Sequence, residues 1–340
     1  VIQIERYDVV VAGASFAGLA VASKLDGLSV LLIDRADIGM HQTSSCGTRV
    51  GIVEALGCKK SILQEFDTIA IHVKQKEFEI NVPIEYCTVD YAEFCRSLNK
   101  RNDAEFIKAQ VKGVSNGRVI TNKGMFVGKV TVDCTGWQAV LASSVDKSYV
   151  DRTMLAFGIE TELPYQDDLM RFFIDPAIIK NGLAWLFPCG DNARFGVGCY
   201  APNTRILPCL ERLLAHYGLE ADMFRGGYFC YKLKRPFVDR MFVAGCAAGH
   251  TLPLTGEGIH RTLRFGLLCG DFVRKVCEGK LSTKDAQRRY AKATLKHKLR
   301  YRCLLNAQKI MPATPKFLVA ALVKLLTFNN VARLAWGMLV

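Results

Sequence analysis

The sequence predicts an α/β chain: a doubly wound, Rossmann-like domain interleaved with an antiparallel-sheet domain and followed by a helical C-terminal region. Three observations predict it. Tyr7 to Ala12 and Ser29 to Asp34 are short apolar runs flanking a helical stretch at Phe16 to Leu25, which together make a βαβ unit. Thr68 to Val82 and Thr153 to Gly198 switch to alternating, aromatic-rich strands such as Met154-Leu155-Ala156-Phe157 and Arg171-Phe172-Phe173-Ile174. Beyond Glu257 the chain reads as helix to its end.

Taken in order, Tyr91 to Asn99 reads as a helix, and Phe106 to Val111, Val119 to Thr121 and Val130 to Cys134 as further strands of the first domain. Met241 to Gly245 is another strand, and Glu257 to Cys277 a long helix after a Gly/Pro-rich loop. The pattern shifts assign residues 1–68, 83–150 and 236–280 to the nucleotide-binding domain. They assign 69–82 and 151–235 to the antiparallel domain, and 281–340 to a basic helical region.

Composition narrows the class. A length of 340 residues with 50 % hydrophobic content supports about two globular domains and excludes a disordered tail or a stapled miniprotein. The 13 Cys contain no C-x-x-C pair, so neither a disulfide framework nor a zinc or iron–sulfur site is signalled. Grouped His residues are missing too, and no metal is expected. The strand-like start at Tyr7 leaves no leader in view, and a reducing, cytoplasmic setting is expected.

The net charge is +13, and Lys284 to Arg302 holds eight Lys or Arg and one Asp, +7 in 19 residues. Such a block suits an anionic lipid surface, an acidic protein partner or nucleic acid, or is a solvated helix face. No window holds about 18 uncharged apolar residues. The runs Phe317 to Val323, Leu325 to Ala332 and Leu334 to Val340, broken by Lys324 and Arg333, suit an interfacial helix or a tail packed on its own domain.

The strongest local signal is Gly13-Ala14-Ser15-Phe16-Ala17-Gly18 between strand and helix, with Asp34 closing the next strand. Gly13 permits the tight turn. Ser15, Phe16 and Ala17 bring backbone amides to a pyrophosphate at the helix start, Gly18 allows helix–strand contact, and Asp34 can accept from ribose hydroxyls. Ser15 stands where Gly is usual. The spacing differs from Gly-x-Ser-x-Gly, so Ser15 is not a nucleophile elbow.

Further along are Val132-Asp133-Cys134-Thr135-Gly136, then Phe242 to Gly249, then Pro253-Leu254-Thr255-Gly256-Glu257-Gly258-Ile259. With Ala184-Trp185-Leu186-Phe187-Pro188 after Gly182, and Cys46-Gly47, these make a chain that resembles the geranylgeranyl reductase family of FAD enzymes over roughly residues 5 to 280. The resemblance implies FAD as cofactor, held by Gly13, Ser15, Phe16, Ala17, Gly18, Asp34, Arg35, Cys46, Gly47, Val111, Thr135, Gly136, Gly245, Cys246, Gly256, Gly258 and Ile259. It implies saturation of double bonds in a geranylgeranyl chain on a lipid or diphosphate. Gly256 and Gly258 leave room for a flat ring, and the helix after Glu257 points its amides at the ring's pyrimidine end.

Three positions depart from the family pattern: Cys246 replaces an Asp, Tyr91 an Arg, and Leu183 an aromatic residue. Trp185, Phe187 and Pro188 are expected to line an isoprenoid tunnel, or else are sheet core. Cys46, in the polar loop His41 to Val50, is the candidate catalytic residue, for proton relay or flavin shielding; the alternative is a loop Cys without a role. No second glycine fingerprint is present, so electrons are expected from an acidic ferredoxin-like donor or transient NAD(P)H. An anionic membrane surface is the further expected partner, with peripheral localisation, and nucleic acid is not expected. A flavin monooxygenase or halogenase is the alternative enzyme; Gly249 stands where hydroxylases carry His, and Trp185-x-Phe187-Pro188 is only part of the halogenase motif. A non-catalytic lipid-binding protein is the alternative outside enzymes.

Overall fold

The computed structural model describes residues 5–201 and 205–339, with side chains to Gly337; the end of the last apolar run, at 338–340, lies outside the described side chains. The chain forms two compact units, each assembled from three stretches. One comprises Val1–His41, Tyr91–Met154 and Phe229–Arg302, the other Gln42–Asp90, Leu155–Tyr228 and Cys303–Val340. Residues 42–68 and 83–90 therefore pack with the antiparallel sheet, because Ile62–Val73 and Lys76–Val89 are one long hairpin. The C-terminal region divides between the units near Arg302.

The first unit is built on strands in the order Phe237–Val238, Met241–Val243, Met125–Asp133, Glu5–Ala12, Val30–Asp34, Glu105–Lys108. All neighbours are parallel except the Phe237–Val238/Met241–Val243 hairpin. Val9 to Ala12 are wholly buried, as expected of a central parallel strand covered on both faces. Against the sheet lie the helices Phe16–Ala22 and Ile259–Cys277, and Tyr91–Asn99 packs on the first of them. A Cβ on Gly266 would come within 2.9 Å of the Ala20 Cβ, so this glycine lets the long helix approach the first one closely. Helix Thr283–Leu295 follows, and its buried Tyr290 hydroxyl donates to the carbonyl of Val243 at 3.2 Å.

Two boundaries differ from the sequence expectation. The first helix ends at Ala22 rather than Leu25, because Lys24 and Leu25 donate to carbonyls three residues back and tighten the chain into a turn. The strand expected over Phe106 to Val111 is two strands, Glu105–Lys108 and Val111–Ser115. At Ala109 the chain leaves Val30–Asp34 for a meander with Arg118–Thr121.

The second unit is an eight-stranded, mainly antiparallel sheet. Strand Gly182–Cys189 shows its logic: Ala184 and Leu186 face the core beneath helix Leu207–His216, while Trp185 and Phe187 face the opposite core. That opposite core is closed by helices Lys316–Leu325 and Asn329–Leu339 through Val319, Ala320, Val323, Ala332 and Trp336.

Candidate functional site

The glycine turn in the first unit is held from both sides. Gly13 sits at φ +102°, and a Cβ there would fall 2.2 Å from the carbonyl oxygen of Cys134. Its N–H donates to Ile33 at 2.7 Å, and the N–H of Cys134 donates to Ala12 at 2.7 Å, so the turn continues the parallel ladder. Asp34 reaches back: Oδ2 accepts from the N–H of Ala14 at 2.7 Å and Oδ1 from Ala36 at 3.2 Å. The carboxylate thus positions the turn and retains lone pairs for ribose hydroxyls.

Ser15 precedes the helix in extended geometry and makes no side-chain cap bond. Its Oγ instead accepts from the Tyr91 hydroxyl at 3.0 Å, and the Tyr91 ring meets Phe16 edge-on at 5.3 Å. The departure at Tyr91 is therefore a brace for the helix start, a role that sequence reading missed. Ala17 and Gly18 complete the buried first turn, and a Cβ on Gly18 would collide with the Gly13 carbonyl. Arg35 bonds His41 through ring Nε2 at 2.7 Å. Val111 lies in the meander, half-buried against the unit's core.

Asp133 is fully buried and anchors the second turn. It accepts from the N–H and hydroxyl of Thr135, at 3.0 and 2.7 Å, and from the N–H of Ala142 at 2.8 Å. Burial raises its pKa, and these bonds oppose the rise. The Thr135 hydroxyl also accepts from the Val140 N–H at 2.6 Å, so the side chain and the N–H of Thr135 both serve the turn. Gly136 follows at φ +74°, and a Cβ built on it meets nothing within 4 Å.

The third element is Gly245–Ile259. Gly245, at φ +71°, packs so closely that a Cβ would lie 2.6 Å from that of Ala17. Cys246 takes the N–H of Cys230 on its Sγ at 3.2 Å, and burial pushes its thiol up to about 12; it offers no carboxylate-like anchor. Leu254 (φ +68°) and Gly256 (φ +67°) both adopt left-handed geometry, which strains the non-glycine residue of the pair. Gly256 faces open space, whereas a Cβ on Gly258 would meet Thr251 Oγ1 at 3.0 Å. The helix begins at Ile259, two residues later than expected, because the Glu257 carbonyl accepts the Leu252 N–H at 2.9 Å and the first helical turn closes from the Thr262 N–H to the Gly258 carbonyl at 2.8 Å.

Wholly buried His250 accepts the Gly245 N–H on Nδ1 at 3.1 Å, which places its proton on Nε2. Nε2 has no hydrogen-bond partner among the described residues. Burial, with the charges of Lys234 and Arg261, lowers its pKa to about 3, so the ring is a neutral donor. Open backbone at Gly136 and Gly256, the narrow Gly13 turn and this orphaned buried donor fit a flavin dinucleotide bound along the first unit.

Cys46, Gly47, Trp185, Phe187 and Pro188 belong to the second unit. Cys46, in its polar loop, is wholly buried at φ +57°. Burial raises its thiol to about 12 against the opposing charge of Arg194, and Sγ donates to the Ser44 carbonyl at 3.2 Å. A Cβ on Gly47 would press on Met170 and Phe187 at 2.8 and 3.0 Å. Trp185 lies across Gly196, and Phe187 stacks edge-on with Phe172 at 5.2 Å, which makes both members of the sheet-and-helix core. The Pro188 carbonyl accepts from the Thr88 hydroxyl at 2.7 Å.

Sequence reading also missed Arg194. Its guanidinium, 4 % exposed, donates to the carbonyls of Ser45 (3.0 Å) and Val89 (3.1 Å) and pairs with Glu162 at 3.0 Å. It clamps the loop that carries Cys46. Arg225 completes the group through Glu160 and Glu162, both at 2.8 Å.

No protein-family model matches the chain. Over 315 residues it is 27 % identical to the digeranylgeranylglycerophospholipid reductase of Methanococcus vannielii, covering 83 % of this chain and 79 % of that protein. Its fold superposes with a TM-score of 0.86 on a geranylgeranyl bacteriochlorophyll reductase-like protein from Thermoplasma acidophilum, at 18 % identity, covering 98 % and 96 % of the two chains. It also matches PqsL, a probable FAD-dependent monooxygenase from Pseudomonas aeruginosa, with a TM-score of 0.68, 15 % identity and coverage of 91 % and 99 %. By sequence, the chain is thus a distant, near-full-length homologue of digeranylgeranylglycerophospholipid reductases, and its fold is that of FAD-dependent oxidoreductases.

Proposed function

We propose that this protein binds FAD and uses it to saturate carbon–carbon double bonds in the geranylgeranyl chains of an isoprenoid lipid or diphosphate. The near-full-length match to a digeranylgeranylglycerophospholipid reductase carries this reading. Bound flavin supplies the hydride. The Gly13 turn and the amides of Ser15 to Gly18 hold the pyrophosphate, Asp34 and Arg35 the adenosine end, with Val111 beside it. Gly136, Cys246, Gly256, Gly258 and Ile259 offer backbone to the flavin half, Gly245 gives that turn its close packing on Ala17, and the His250 Nε2 proton is a fixed neutral donor beside that loop.

An isolated alkene has no electron-withdrawing neighbour, so positioning in a dry apolar setting contributes most of the catalysis. We assign Cys46, whose Sγ stays protonated, to holding the proton that the second alkene carbon receives. Gly47 gives that loop its close fit. Electrons come from an acidic ferredoxin-like protein, attracted by the basic surface, or from transiently docked NAD(P)H.

The test is anaerobic incubation of chemically reduced protein with geranylgeranyl lipids, followed by mass spectrometry. A gain of two hydrogens per bond is expected. Unchanged lipid, or oxygen-dependent NAD(P)H consumption with an oxygenated product, would move the assignment to a monooxygenase.

A further inference from the structure

Helix Lys316–Leu325 has two faces of opposite use. Val319, Ala320 and Val323 are buried against the second unit's sheet, while Phe317, Leu318, Leu322 and Leu325 stand 71 %, 46 %, 63 % and 48 % exposed. Positions 317, 321 and 325, with 318 and 322, fall on one helical stripe, so these side chains share a face. Phe328 and Leu334 continue the exposed apolar set into the next helix. The two helices are long and apolar enough to cross a bilayer only when taken together, but they are bent by 99° at their junction, and no single described helix is long and apolar enough to cross a membrane.

Exposed apolar side chains on this scale are unusual for a solvent-facing helix. The charges beside them are Lys316, Lys324 and Arg333, and the sequence from 286 to 340 contains 11 Lys or Arg and no Asp or Glu. A second copy of the same surface would bring like charges together, which disfavours self-association. An anionic bilayer supplies both complements: acyl chains for the Phe and Leu side chains, and phosphates for cations that can reach outward along their stems.

We propose that the outward face of Lys316–Leu325, extended by Phe328 and Leu334, is a monotopic docking surface for an anionic lipid bilayer. The helix lies in the headgroup plane with Phe317, Leu318 and Leu322 inserted. This deepens the reading of the substrate as a lipid, yet it is testable without any substrate.

The experiment is flotation of the whole protein with vesicles of phosphatidylcholine alone or mixed with phosphatidylglycerol, both free of isoprenoid lipid. Binding is expected to favour the anionic vesicles by about tenfold or more, and to fall at about 0.5 M salt. Lys324→Glu with Arg333→Glu should remove that preference, and Phe317→Asp with Leu322→Asp should abolish binding, with thermal unfolding unchanged because all four positions are exposed. Equal binding by wild type and variants, or none to anionic vesicles, would overturn the proposal. So would a wild-type dimer that Leu322→Asp converts to monomer. Since the vesicles carry no substrate, these failures would leave the reductase reading to its own assay.

Discussion

Replacing Arg194 with Met tests the physical account of the Cys46 loop. In the wild type, two arginines (194 and 225) face two glutamates (160 and 162), a neutral group, with Glu160 only 3 % exposed. The substitution keeps an apolar stem but leaves one guanidinium for two carboxylates, and frees the carbonyls of Ser45 and Val89 from their donor. Breaking a buried pair by removing one partner costs about 3–5 kcal/mol, a large fraction of a typical total of about 5–15 kcal/mol. Urea unfolding at neutral pH measures it.

A pH series adds a second signature. Burial alone would raise the Glu162 carboxyl, but its bonds to Arg225 and Arg194 outweigh that and lower it. A depressed carboxyl stabilises the fold above its unfolded value, and that contribution is lost as pH falls through the folded one. The variant should therefore lose less stability than wild type on acidification below the ordinary carboxylate range. A loss under about 1 kcal/mol at neutral pH with an unchanged acid profile would refute the clamp, since a surface pair behaves that way.

Other outcomes follow from buried groups. His250 stays neutral when folded but binds a proton when unfolded, so between about pH 6.5 and 3 its contribution to stability falls as pH falls, approaching about 1.4 kcal/mol per unit. His250→Gln should flatten unfolding free energy against pH by one proton, leaving the smaller effect of His297, lowered to about 4 mainly by burial; an unchanged slope would contradict the burial argument. Native protein treated with iodoacetamide at mildly alkaline pH should be alkylated at exposed Cys303 and spared at Cys46, as read by peptide mapping. Rapid labelling of Cys46 would place its thiol in water. Cys46→Ser should lower turnover with little change in flavin content; unchanged turnover would remove its assigned role.

The βαβ start was legible because parallel strands buried on both faces become uninterrupted apolar runs: Val9 to Ala12 and Val30 to Ile33 carry no polar residue. Helix Tyr91–Asn99 was equally legible from its apolar spacing, with Tyr91, Phe94, Cys95 and Leu98 buried. The division between units was not, because it depends on Ile62–Val73 pairing back on Lys76–Val89, and local pattern does not say which sheet a hairpin joins. Arg194 was hidden for the same reason. A charge in the strand Asn192–Cys199 suggests a solvent face, while its acceptors lie 149 and 105 residues away. Trp185 and Phe187 show the converse case, since alternation gave their shared face but not the helices that cover it.

The central claim is that the Gly13 turn and the Gly256 loop together hold a flavin, and the most direct measurement is flavin content of the purified protein by absorbance and release. Near-stoichiometric FAD is expected in the wild type. It should be lost in Gly13→Ala, whose methyl would occupy the place of the Cys134 carbonyl. A colourless wild type that takes up no added FAD would contradict the account.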